Sequence, residues 1–190
     1  MTPPDPYSAQ LDRFVHDRLP EPAQLPELRF DAPELQFPEQ INLVQELLDK
    51  APIKGFTHFP MLRSDTETVS YADARVRVDR IAHVLVQDLG LVPGNRVLLR
   101  GGNSIMMALA MLAVMKAGLI AVATMPLLRA KELGDIIDKA EPSAALCDVT
   151  LLKELQLAQA EHPVLTSVIA CNAAVAEGEP DSLEARATDK

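Results

Sequence analysis

The sequence predicts an α/β protein, a parallel sheet with flanking helices, and three observations carry that prediction. From Arg96 onward, short apolar runs alternate with stretches of helical periodicity. The runs show no polar alternation, as expected of strands covered on both faces. Each intervening stretch is long enough to return the chain over the sheet by a right-handed crossover.

Taken in order, residues 1–40 form a Pro-rich acidic arm that holds eight of the 15 prolines. Proline fixes φ and removes a donor, so the arm is predicted to be extended or irregular, draped over the body through Leu28, Phe30, Leu35 and Phe37. Residues 42–50 begin with a capping residue, Asn42, and repeat apolar positions at helical spacing, which predicts the first helix. The clearest helix is 71–89. Tyr71, Ala74, Val78, Ile81, Ala82, Leu85, Val86 and Leu89 share one face, Ser70 and Asp73 have capping-box spacing, and Gly90 stands where a left-handed residue ends a helix.

Strands are then expected at 97–99, 120–124, 144–147 and 167–171, with helices at 105–117, 130–140 and 151–160. Residues 41–172 form the α/β body, and 173–190 read as an acidic linker or truncated end. The helix at 105–117 has no charge before Lys116. An isolated three-layer domain would leave one side of it in water, so either a second helix layer or a further part of the protein covers it. Ile105–Leu128 also raises a membrane reading, but Lys116, Gly118 and Pro126 interrupt it, and a spanning helix needs ~20 unbroken apolar residues. The start Met1-Thr2-Pro3-Pro4-Asp5 is no secretory signal.

The net charge of −9 belongs to the ends. Residues 1–40 carry eight acids against three bases and residues 173–190 five against two, so the body is nearly neutral. No basic stripe suggests nucleic acid. Cys147 and Cys171 lie in apolar stretches and read as buried, reduced thiols of a cytoplasmic protein. Arg100-Gly101-Gly102-Asn103-Ser104 follows a strand and opens a helix, a place where backbone N–H groups can hold phosphate. The dinucleotide and P-loop fingerprints are absent, and a tight turn is the plainer reading. His16, His58, His83 and His162 lack metal-ligand spacing, and no nucleophile elbow or paired-cysteine motif is present.

The ordered series Thr68-Val69-Ser70-Tyr71, Arg80-Ile81-Ala82, Leu89-Gly90-Leu91-Val92-Pro93-Gly94-Asn95-Arg96-Val97, Asn103, Met115-Lys116-Ala117-Gly118, Pro126 and Lys131-Glu132-Leu133 resembles the opening of the adenylate-forming acyl- and aryl-CoA ligases. Gly94–Gly101, Ala123–Leu133, Ile136–Ala140, Ala145–Asp148 and Leu35-Gln36-Phe37-Pro38 are most similar to the 2-aminobenzoate-CoA ligase branch. The resemblance implies two steps. A carboxylate attacks the α-phosphate of ATP, giving an acyl-adenylate and diphosphate, and CoA thiolate then displaces AMP.

In that family the Ser/Thr/Gly-rich ATP loop, the Mg²⁺ partners and the mobile lysine lie downstream of the matched region, and no such loop follows Asp148 here. The resemblance therefore implies an N-terminal subdomain with no catalytic residue and no cofactor of its own. ATP, Mg²⁺, CoA and an aromatic acid would serve the full-length enzyme. It also implies that Arg129, Lys131 and Lys153 are candidates for CoA phosphates, the alternative being solvated charges at helix ends. A further expectation is contact with the remaining ligase subdomains, or self-association through uncovered apolar surface. The competing reading is a stand-alone α/β binding module without catalysis.

Overall fold

A computed structural model describes residues 9–27, 29–38, 40–172, 181–188 and 190. Its elements are β1 (Pro60–Arg63), β2 (Thr68–Ser70), α1 (Tyr71–His83), β3 (Arg96–Arg100), α2 (Ile105–Lys116), β4 (Ile120–Thr124), α3 (Ala130–Ala140), β5 (Ala144–Asp148), α4 (Leu152–Glu161), β6 (Ser167–Cys171) and α5 (Leu183–Thr188). The main sheet is parallel throughout, in the order β4-β3-β5-β6. Leu98 of β3 stands beside Val122 of β4 and Ala145 of β5.

Alternation along the strands divides the core in two. Val97, Leu99, Ala144, Leu146, Ile169 and Cys171 face α1 and α2, while Leu98, Ala145 and Cys147 face α3 and α4. The chain moves one way from β3 to β4 and the other way from β4 through β5 to β6. Right-handed crossovers then require α2 on one face and α3 with α4 on the other, as observed. Cys147 and Cys171 lie on opposite faces, so the two buried thiols cannot bridge.

α1 starts where Ser70 Oγ accepts the Asp73 N–H at 3.1 Å, a cap worth about 1 kcal/mol. It buries Ala74, Val78, Ile81 and Ala82, and beyond His83 it widens into a π-helical turn over Val84–Asp88 instead of continuing regularly to Leu89. Gly90 closes it at φ +64°. Every α2 side chain is buried or half-buried, because α1, with α5 beside it, supplies the second helix layer. The open side expected of this helix is reduced to a groove of about 570 Å³ along Met107, Ala108 and Met111.

Three sequence expectations need correction, and one pair of strands has no counterpart among them. The helix expected at 42–50 contracts to a π-helical turn at Gln45–Asp49, held where Asn42 Oδ1 accepts the Val44 and Gln45 N–H groups. β4 is an edge strand, half-exposed along most of its length, since only β3 flanks it. The 173–190 segment ends in α5, whose Leu183 is wholly buried against α1. A β1–β2 hairpin precedes α1. Its strands are short and its register is broken between Pro60 and Leu62, which removes the alternation that would reveal a strand.

The arm docks elsewhere than expected. Phe30, Leu35 and Phe37 are exposed, and Leu28 lies outside the described residues. The anchor is residues 10–18. Leu11 and Asp12 donate their N–H groups to Pro93 O at 2.9 and 3.0 Å, and Phe14 is sandwiched between the Arg18 and Arg96 guanidiniums at 3.6 and 4.0 Å. Gly94, at φ +93°, lets the strap pass, since a Cβ there would collide with the Asp12 carbonyl oxygen.

Candidate functional site

In an open parallel sheet the favoured binding place lies beyond the carboxyl ends of the strands, where neighbouring crossovers diverge. Here that place is between β3 and β5. The chain has filled it with its own polar groups. Asn172 Nδ2 donates to Ser104 Oγ at 3.1 Å and to Asp148 Oδ2 at 2.7 Å. Ser104 Oγ also accepts the Met107 N–H, capping α2, and Glu184 Oε1 accepts the Asn172 N–H at 2.6 Å. Burial opposes ionisation of Asp148, but the hydrogen bonds from Thr150 and Asn172 outweigh it and hold its carboxyl below the ordinary range. Burial pushes Glu184 the other way, upward, and among the described residues its Oε2 has no hydrogen-bond partner. Gly101 and Gly102 thus connect β3 to α2 beside an acidic network, an environment unsuited to phosphate.

Besides the groove along α2, which reaches residues 102–104, an open site at this end lies on the other face of the sheet, between the β4–α3 turn and the start of α4. It is a cleft of about 310 Å³ lined by residues of both walls, among them Arg129, Lys153 and Glu154, with Arg100 beneath. Arg100 is 1% exposed. Its Nη1 donates to Met125 O at 3.1 Å, its Nη2 to Pro126 O at 3.1 Å and Leu128 O at 2.8 Å, and its Nε to Leu151 O at 3.4 Å. Among the described residues, no carboxylate pairs with it.

The structure brings two of the three sequence candidates together. Arg129 is the N-cap of α3 and Lys153 lies in the first turn of α4, so both border the cleft. Lys131 is exposed and lies outside the cleft lining. Arg129 is 79% exposed at its side chain and stands 3.5 Å from Glu154 Oε1. Glu154 Oε2 accepts the Ala130 N–H at 3.0 Å, and Glu132 Oε2 accepts the Arg129 N–H at 2.9 Å. Two carboxylates therefore already occupy the start of α3, where the free N–H groups favour negative charge.

Arg100 and Glu154 were absent from the sequence candidates. A charge ending the apolar run Val97–Leu99 is the signal that marks Arg100, whereas Glu154 has none, because its neighbour across the cleft is set by helix packing. Chemically, three cations against one carboxylate can bind and orient an anion. No described group of His, Cys, Asp or Glu side chains is arranged to hold a metal ion. Burial raises the Cys147 and Cys171 thiols to about 12, so neither offers a thiolate near neutral pH. Among the described residues, no helix is long and apolar enough to cross a membrane.

The AMP-binding enzyme family matches over residues 49–190, and the chain belongs to that family. It is 38% identical over 109 residues to the salicyl-AMP ligase / salicyl-S-ArCP synthetase of Mycobacterium tuberculosis (strain ATCC 25618 / H37Rv), a match covering 53% of this chain and 19% of that protein. It is 34% identical over 98 residues to the malpinin synthetase of Mortierella alpina, covering 52% of this chain and 1% of that one. Its fold is similar to that of the anthranilate CoA ligase AuaEII in complex with anthranoyl-AMP, with TM-score 0.71 and 17% identity over 81% of this chain and 28% of that one. The α/β sheet with flanking helices described above thus matches the N-terminal part of adenylate-forming ligase structures. The chain spans well under two thirds of each of these proteins.

Proposed function

We propose that this chain is the N-terminal part of an ATP- and Mg²⁺-dependent, cytoplasmic aryl-CoA ligase acting on 2-aminobenzoate or a related aromatic acid, and that its own share of the work is to hold CoA phosphates. The observation that carries the second half is the cleft, which Arg129, Lys153 and Arg100 all line and whose lining includes one acid, Glu154. A cluster of this kind, partly walled from water, attracts a phosphorylated nucleotide more strongly than the same charges spread over a surface. Likeness to an anthranilate CoA ligase and a salicyl-AMP ligase supports an aromatic acid as substrate. Lys131, outside the cleft, serves this reading only as a peripheral charge.

Titration of the chain with adenosine 3′,5′-bisphosphate tests the reading. We expect saturable binding that weakens with salt and is lost in the Arg129→Ala/Lys153→Ala double variant. Binding indifferent to both residues would overturn it. The sequence has no Ser/Thr/Gly-rich loop after Asp148 to hold the ATP phosphates, so no adenylation step is assigned to the described residues. The 190-residue chain alone is accordingly expected to release no diphosphate from ATP with 2-aminobenzoate. The exposed Met125 and Leu127 beside the cleft are where contact with the remaining subdomains, or self-association, is expected.

A stand-alone binding module is the second reading, favoured by a cleft whose described lining includes no ATP loop. Reading the gene past codon 190 separates the two. A frame leading into a Ser/Thr/Gly-rich loop supports the ligase, and a stop codon supports the module.

A further inference from the structure

We infer that Arg100 is the positioning residue of the cleft, setting the geometry of both its walls and providing its only buried positive charge. The inference rests on the anion-binding reading given above. Arginine has five N–H donors in a planar fork, and Arg100 directs them at four carbonyls. Three belong to the Met125–Leu128 turn and one to Leu151 at the head of α4. Arg129 follows the last of the turn carbonyls directly, and Lys153 lies two residues beyond Leu151. The places of both outer cations on the cleft rim therefore depend on backbone that one guanidinium clamps.

The charge of Arg100 is the second argument. Carbonyl dipoles solvate a guanidinium without cancelling its charge, and a buried ion ordinarily has a counter-ion. Arg96, at the other end of the same strand and on the same face, has one in Asp12. Arg100 has none among the described residues, and it lies where a cleft opens to solvent. An anion entering the cleft would supply the missing charge. Lysine could not replace this arginine, because a single ammonium cannot span both walls.

The test is calorimetric titration of wild-type chain, Arg100→Lys and Arg100→Gln with adenosine 3′,5′-bisphosphate over a range of salt concentrations, with thermal melts of each variant. We expect Arg100→Lys to bind about tenfold more weakly with the wild-type salt dependence, because the charge is kept and the clamp lost. Arg100→Gln is expected to bind more weakly still, with a shallower salt dependence. A merely structural arginine would lower the melting temperature without changing the salt dependence. Wild-type affinity in Arg100→Lys, or weakened binding with unchanged salt dependence in Arg100→Gln, overturns the assignment. If Arg100→Gln does not fold, the affinity of Arg100→Lys decides alone. Binding by the wild type that both Arg100 variants retain removes the role of Arg100 and leaves the anion site intact. Absence of binding by the wild type removes both.

Discussion

The two ends of β3 carry the same side chain and use it differently. Arg96 and Arg100 are both buried and both project toward the α3–α4 face. Arg96 is enclosed by the Asp12 carboxylate and by the carbonyls of Ala140 and Glu141, at 2.9 and 2.7 Å, with Phe14 stacked on it. It locks the N-terminal strap, the end of α3 and the sheet together. Arg100 makes as many hydrogen bonds, but all to carbonyls, and it faces an open cleft. The difference teaches that the counter-ion, and not burial or bond count, separates an arginine spent on the fold from one available to a ligand.

The largest expected effect breaks that comparison at the Arg96 end. Arg96→Met should cost about 3 kcal/mol in urea unfolding, because it strands the Asp12 carboxylate as well as the carbonyls of Gly94, Ala140 and Glu141. Arg100→Met should cost about 2 kcal/mol, because the carbonyls it strands can be hydrated from the cleft and no ion loses its partner. A larger loss at Arg100 would reverse the comparison. Next, Gly94→Ala should cost about 2 kcal/mol and expel the strap, since it meets both a positive φ and the Asp12 carbonyl. Faster tryptic cleavage after Arg13 and Arg18 would report the release.

Asp12 sharpens the comparison through pH. Burial opposes its ionisation, but hydrogen bonds from the Phe14 N–H, Asn95 and Arg96, together with the Arg96 charge, prevail and lower its carboxyl below 3.8. A depressed folded value means stability that is present above the unfolded value and lost as pH falls through the folded one. Asp12→Asn should therefore be less stable than wild type by about 1 kcal/mol at pH 7, with the gap closing below about pH 4. A gap that stays constant from pH 7 to pH 3 would show that the charge does not matter.

The smallest effect is at the cleft. Glu154→Gln should lose only about 0.5 kcal/mol of helix capping while releasing Arg129, so that adenosine 3′,5′-bisphosphate binds a few-fold more tightly. Unchanged affinity would show that Glu154 does not compete with the anion.

Much of the main sheet was legible from residues 96–171. Apolar runs such as Val97-Leu98-Leu99 and Ala144-Ala145-Leu146 are strong signals of buried strands, and Ser70 with Asp73 marks a helix start, because these patterns depend on neighbours in the chain. The β1–β2 hairpin and α5 were not legible. Each is held by a partner distant in sequence, and Leu183 becomes a core residue only when α1 lies under it. The strap was mislocated for the same reason. Phe30 and Phe37 are apolar but find no receptor, while Asp12, polar and unremarkable in sequence, finds Arg96.

By itself, then, the sequence determined the α/β class, the order of the elements from β3 to β6, the resemblance to adenylate-forming ligases, and the candidacy of Arg129 and Lys153. Only the tertiary structure decided which cations share a cleft, that Lys131 stands outside it, and that Arg100 lies beneath it without a counter-ion. The physical reason is range. Periodicity and capping act over a few residues, whereas the state of a buried charge depends on every group that folding brings around it.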